Sequence, residues 1–131
     1  QRRGLHLILH VPDGLPTLSL DPGQIRQACL NLVRNAAEAM PEGGRITIQA
    51  RAHASEVGIT VIDTGVGVPE DIRDKIFDPF FTTKDGGTGL GLAIARQIAV
   101  DHGGSLKCES GSGIGTTFRL SLPARAEEGI P

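Results

Sequence analysis

Apolar residues recur along this chain with two different periods, and the switches between them mark out its elements. Near the start, Leu5, Leu7, Leu9 and Val11 alternate with His6, Ile8 and His10, a two-residue repeat that predicts a strand over 5–11 with one wholly apolar face. Pro12 and Pro16 bracket a turn, and 17–20 reads as a second short extended piece. Asp21-Pro22 has the form of a helix start: an aspartate that can accept from unpaired amides, then a proline at the first helical position. Beyond it the period becomes helical. Ile25, Cys29, Leu32, Ala36, Ala39 and Met40 fall on a stripe roughly 100° wide, which predicts a helix running to about Met40 with that stripe in the core. Asn31, Asn35 and Glu38 lie together on its flank, where two asparagines one turn apart call for a reason because asparagine favours helices poorly.

Pro41-Glu42-Gly43-Gly44 stops this helix. Residues 45–52 set Ile46, Ile48 and Ala50 against Thr47, Gln49 and Arg51, and 56–63 set Val57, Ile59 and Val61 against Gly58, Thr60 and Ile62; the pair predicts an antiparallel hairpin. Pro69, Glu70 and Asp71 open a short helix expected to reach about Ile76. A second long helix is expected over 90–101, with Leu90, Ala93, Ile94, Ile98 and Val100 mostly inward and Gly103-Gly104 as its stop. His102 suits the negative end of that helix and reads as structural. Strands over 105–109 and 117–122 follow, joined through Gly111, Gly113 and Gly115, and the tail after Pro123 has no pattern. The sum is an α+β, two-layer sandwich: a mixed sheet of about five strands with about three helices on one face and the glycine loops at one rim.

Length and composition narrow the classes. A chain of 131 residues is expected to form a single domain, with its core over about 5–123 and a frayed tail over 124–131. A net charge of −2 marks no polyanion-binding surface, so nucleic acid is not an expected partner and an anionic ligand must be met by local groups and a metal. Cys29 and Cys108 are the only cysteines and read as free thiols of a reducing compartment, with one disulfide as the alternative. No apolar run approaches the ~18 residues of a membrane span, and no basic start leads into an apolar leader core. A soluble, cytoplasmic domain without membrane contact is expected.

The 18 glycines gather where chemistry would be. Gly86, Gly87, Gly89 and Gly91 crowd the entry to the second long helix, whose first turn leaves amides unpaired and positively polarised, a setting for phosphate. The pattern is neither the dinucleotide fingerprint, since Phe-Phe-Thr-Thr-Lys precedes it rather than a strand, nor a Walker A loop, which needs a Gly-Lys-Ser or Gly-Lys-Thr ending. A glycine-rich turn capping a surface helix fits the same residues. Asp63 leaves its strand beside Gly65 and Gly67, placed to accept from a ligand amino group, although an aspartate-started turn fits as well. Phe77, Phe80 and Phe81 are three of the four phenylalanines and read as an aromatic anchor for a loop over a site. Lys84 is the cation nearest the glycines.

Taken in order, these pieces resemble the catalytic ATP-binding domain of sensor histidine protein kinases, of the superfamily shared with gyrase, a chaperone and mismatch-repair ATPases. Asn31-Leu32-Val33-Arg34-Asn35-Ala36 looks like the N box, Asp63-Thr64-Gly65-Val66-Gly67 like the first glycine box, and Phe77 to Lys84 like the F box. Gly87, Thr88, Gly89, Leu90, Gly91 and Leu92 look like the second glycine box, and Gly113-Ile114-Gly115-Thr116 like the last. The Phe-Phe-Thr-Thr-Lys wording looks most like the nitrogen-regulation type.

The resemblance implies a Bergerat-type ATP-binding fold and a set of roles. Asp63 would accept from the adenine amine with Thr116 assisting, while Gly65 and Gly67 let the purine lie against backbone. Asn35 would hold Mg²⁺ through its amide oxygen, the ion bridging phosphate oxygens. Gly89, Leu90, Gly91 and Leu92 would offer amides to phosphate, with Lys84 as a nearby point charge. Asn31 stands where the superfamily's ATPases carry a water-activating glutamate; an amide is no general base near neutral pH, so transfer to a protein acceptor is favoured over hydrolysis. Glu38 stands where many members have a basic residue, which puts a phosphate contact there in doubt. None of His6, His10, His53 or His102 has the helical context of the family's phosphorylated histidine. The expected acceptor is therefore a histidine on a separate dimerisation domain of a longer kinase, with a response regulator next in line, and the isolated chain is expected to bind Mg-ATP without phosphorylating itself. A serine-directed kinase of the same fold and a nucleotide-gated interaction module are the alternatives.

Overall fold

The computed structural model describes residues 5–10, 21–53, 55–81, 90–110 and 115–123. The long asparagine-bearing helix starts as its sequence dictates. The Asp21 carboxylate accepts from the Gly23 and Gln24 amides at 3.0 and 3.1 Å, and Pro22 occupies the first turn of α1 (Pro22–Glu38). The helix stops two residues short of the expected Met40, with Ala39 closing it onto the carbonyls of Asn35 and Ala36. Pro41 explains the early stop, because a following proline disfavours helical backbone at Met40.

Five strands form one mixed sheet in the order β1-β2-β3-β5-β4. These are β1 (Leu5–His10), β2 (Gly44–His53), β3 (Glu56–Asp63), β4 (Ser105–Ser110) and β5 (Thr116–Pro123). β1 runs parallel to β2, and the other three pairings are antiparallel, including the expected β2–β3 hairpin. The register stacks Ile48, Val61, Phe118 and Cys108 in one row and Ile59, Leu120 and Leu106 in the next. Together these rows form the apolar face on which α1 and α2 (Gly91–Asp101) lie. Ala28, Leu32 and Ala36 of α1 and Ala95, Ile98 and Ala99 of α2 bury themselves against that face. Small residues at the helix contacts bring the two helices close to each other and to the sheet.

Three expectations are corrected. There are two α-helices among the described residues rather than about three: the stretch after Pro69 forms two short 3₁₀ turns, Glu70–Ile72 and Lys75–Phe77. With prolines at 69 and 79 the segment has too few residues to offset helix nucleation. The apolar face of β1 is not covered, since Leu7 and Leu9 remain 51% and 61% exposed on an edge strand that neither helix overlies. The inward set of α2 is also narrower than expected, with Ile94 and Val100 exposed. Val11, the 17–20 stretch and the Gly111–Gly113 connection lie outside the described residues. Cys29 and Cys108 are half-buried free thiols, as expected, and burial pushes the Cys29 thiol up. No helix among the described residues is long and apolar enough to cross a membrane.

α2 ends on Gly103 in the left-handed region at φ 81°, with the Gly103 and Gly104 amides returning to Val100 and Ala99 at 2.9 and 2.8 Å. This is the glycine stop expected from the sequence. His102 does more than suit the dipole. Its Nε2 accepts from the Asp21 amide at 3.1 Å, so Nδ1 carries the proton and donates to the Ile98 carbonyl at 2.8 Å. The ring thus joins the last turn of α2 to the cap of α1. Replacing His102 with leucine, which keeps bulk and removes both bonds, is expected to lower the unfolding free energy by about 1–2 kcal/mol. Urea unfolding checks this as a lower midpoint with an unchanged slope.

Candidate functional site

β3 delivers Asp63 on its last residue, on the sheet face that carries the helices, where the side chain is only 3% exposed. A carboxylate there would be costly without donors. Its Oδ1 accepts from the Gly65 amide at 2.8 Å, and the Thr116 amide, its register partner on β5, donates to it as well. Burial nevertheless pushes the Asp63 carboxyl above its ordinary value, with the two amides holding it part of the way back. Thr116 is 4% exposed.

Glycines let backbone close around this carboxylate. A Cβ on Gly65 would stand 2.8 Å from the Ala39 carbonyl oxygen and 3.1 Å from both Asp63 Oδ1 and Met40 Cγ. Gly67 turns the chain at φ 80°, a conformation disfavoured for other residues. Gly115, at φ 95°, backs directly onto the Asp63 carbonyl. Thr64 fastens the same corner: its Oγ1 accepts from the Arg45 amide at 3.1 Å and meets Met40 Sδ at 3.4 Å. The end of α1, the start of β2 and the loop after Asp63 are joined there.

The opposite end of the site lies along α1. Asn31 is 5% exposed, not on a solvated edge, because α2 packs beside it. Its Nδ2 donates to the Gly91 carbonyl at 3.1 Å and its Oδ1 accepts from Gln27 Nε2 at 3.1 Å. Gly91 is the first residue of α2, Leu90 stands just before it, and Leu90 and Leu92 are half-buried. Asn35, half-buried, sits one turn beyond Asn31 on the same flank. Residues 31, 35 and 39 therefore mark three levels: the entry of α2, the second asparagine, and the glycine corner of Asp63. At 1.5 Å per residue the outer two levels are about 12 Å apart. A ligand lying along this flank would meet a buried acceptor at one end and a helix start at the other.

Of the expected site residues, Asn31 and Gly91 meet through a hydrogen bond at one end, Asp63, Gly65 and Thr116 meet at the other, and Asn35 lies between on α1; Leu90 and Leu92 flank Gly91, and Gly67 follows Gly65 by two residues. Lys84, Gly87, Thr88 and Gly89 lie outside the described residues. Gln27, Thr64, Met40 and Gly115 are additions. Gly115 belonged to a motif noted in the sequence, whereas the contact between Met40 and Thr64 has no sequence signal. Part of the aromatic anchor forms as expected. Phe77 packs edge-on against Phe118 with centroids 6.1 Å apart, Arg96 of α2 lies 5.3 Å over its ring, and Phe81 packs at the core margin. Phe80 differs, being 72% exposed with a positive φ of 71°.

Comparison with known proteins gives a consistent result. The model of the histidine kinase-, DNA gyrase B- and HSP90-like ATPase family matches residues 20–126. Sporulation kinase E of Bacillus subtilis is 40% identical over 123 residues, 92% of this chain and 17% of that protein. The nucleotide-free catalytic domain of histidine kinase ThkA superposes with a TM-score of 0.84 at 36% identity, covering 94% of this chain and 81% of that one. Full-length ShkA in complex with AMPPNP superposes at 0.83 with 34% identity, covering 93% of this chain and 26% of that one. The chain thus spans about a sixth of sporulation kinase E and about a quarter of full-length ShkA. These similarities are to sensor kinases in general and do not single out the nitrogen-regulation type.

Proposed function

This chain belongs to the histidine kinase-, DNA gyrase B- and HSP90-like ATPase family, and on that premise we propose that it is the ATP-binding catalytic domain of a sensor histidine kinase. In this reading it holds Mg-ATP along α1 and presents the γ-phosphoryl group to a histidine on a separate dimerisation domain, from which a response regulator takes it. The observation that carries the reading is the buried Asp63, 3% exposed and fixed by two backbone amides, one helix flank away from a glycine-entered helix start. The adenine-nucleotide analogue held by ShkA supports it, and two cysteines without a disulfide suit the cytoplasmic setting such a domain would have.

The residues fit an adenine nucleotide. Asp63 accepts from an exocyclic amine through the face of its carboxylate not used by Gly65 and Thr116, and the lack of a Cβ at Gly65 lets that backbone close on the carboxylate against Ala39 and Met40. Asn35 supplies a hard amide oxygen for Mg²⁺, and the amides at the start of α2 face the phosphates. Bound there, the ion would take most of its ligands from phosphate and water. The magnesium ion would neutralise phosphate charge as transfer proceeds. Asn31, an amide rather than a carboxylate, activates no water, so the phosphoryl group is kept for a protein acceptor.

The test is calorimetric. Mg-ATP is expected to bind the chain, and GTP, whose base offers an oxygen where adenine offers an amine, at least a hundredfold more weakly. Asn35→Ala is expected to lose the magnesium-dependent part of ATP affinity, about tenfold or more, with the fold retained. Equal binding of ATP and GTP would remove Asp63 as the base reader, and unchanged magnesium dependence would remove Asn35 as the metal ligand.

A further inference from the structure

We infer that Asn31 is a positioning residue, whose amide sets the height of the α2 start against Asn35. The inference rests on the nucleotide reading above and adds to it what α1 does besides carrying a metal ligand. Asn31 is nearly inaccessible at 5% exposure, and both ends of its amide are engaged within the protein. The orientation is fixed by chemistry: the Gly91 carbonyl can only accept, so Nδ2 must face it, and Oδ1 is left for the amide nitrogen of Gln27. Gly91 is the first residue of α2, and a Cβ there would stand 4.0 Å from Asn31 Cβ, an ordinary contact, so the start of α2 lies directly against this turn of α1.

Two consequences follow from one bond. The carbonyl that Asn31 grips belongs to the turn whose amides face phosphate, so the bond fixes where those amides stand along α1. Asn35 lies four residues, about 6 Å, further on the same helix. The Asn31 bond therefore sets the separation between the metal-holding amide and the phosphate-facing amides, the two groups that must grip one triphosphate together. Asp63 and the glycine corner, at the far end of α1, are outside this linkage. Asn31 thus acts on the phosphate end of the ligand and not on the base.

Asn31→Asp keeps the shape and replaces the donor with an oxygen that repels the Gly91 carbonyl. Titrating the variant and the parent with Mg-ATP and with adenosine separates the two ends of the ligand. The expected result is a Mg-ATP affinity about tenfold lower with adenosine affinity unchanged. Mg-ATP affinity equal to the parent's, or an equal loss for Mg-ATP and adenosine, would overturn the inference. Asn31→Ser removes the bond while admitting water, and the same titrations on it decide the matter should the buried carboxylate prevent folding. A parent chain that binds no Mg-ATP would instead overturn the nucleotide reading itself.

Discussion

Asparagine in place of Asp63 is expected to give a chain that is at least as stable as the parent and has lost ATP affinity by about a hundredfold or more. The two effects have opposite signs because the carboxylate is held against its own preference. Burial raises its proton affinity in the folded state above that in the unfolded chain, so the native state binds more protons between the two values. Stability then falls as pH rises through that window, and the deficit persists above it. An asparagine carries no such charge. Its Oδ1 still accepts from Gly65, but its nitrogen offers a donor where the adenine amine needs an acceptor. Calorimetry with Mg-ATP checks the affinity. Urea unfolding from about pH 4 to 7 checks the stability, since the decline with pH seen in the parent should flatten in the variant. Retained ATP binding, or a marked loss of stability at pH 7, would contradict the assignment.

Alanine at position 115 is expected to have the largest effect on stability. Gly115 is at φ 95°, and a Cβ there would be driven into the Asp63 carbonyl, with the Thr64 Cα next in line at 3.5 Å. Neither obstacle is the yielding tip of a long side chain. The loss is expected to be roughly 3 kcal/mol, a fall in the thermal midpoint on the order of 10 °C. Asparagine, which tolerates positive φ better than alanine, should rescue little, because the Cβ itself is what collides. A scanning calorimetry series of the parent, Gly115→Ala and Gly115→Asn tests both statements. A midpoint within about 2 °C of the parent for Gly115→Ala would show that the β3–β5 junction yields.

Most of the framework was legible because its signals are local. The cap at Asp21, the glycine stop at Gly103 and the alternation in 56–63 each depend on a few neighbouring residues, and the structure has each in place. What could not be read depends on partners distant in sequence. Nothing near Leu7 and Leu9 tells that no helix will cover β1, and the 3₁₀ turns after Pro69 result from two prolines limiting a stretch whose acids otherwise suit a helix start. In the candidate site, residue types drew attention to Asp63 and the asparagines, while their surroundings needed the geometry. The burial of Asn31 follows from α2 arriving 60 residues later, and the role of His102 from a cap 81 residues earlier.

The strand order has a consequence for how securely the base-reading end is held. Sheets fray from their margins, where strands are hydrogen-bonded on one side only. β3 is the third of five strands, so two strands stand between Asp63 and either margin. Loosening of the exposed β1 edge, or of β4 on the other side, would have to pass through a neighbouring strand before it reached the carboxylate. Asp63 is thereby insulated from the breathing of the sheet.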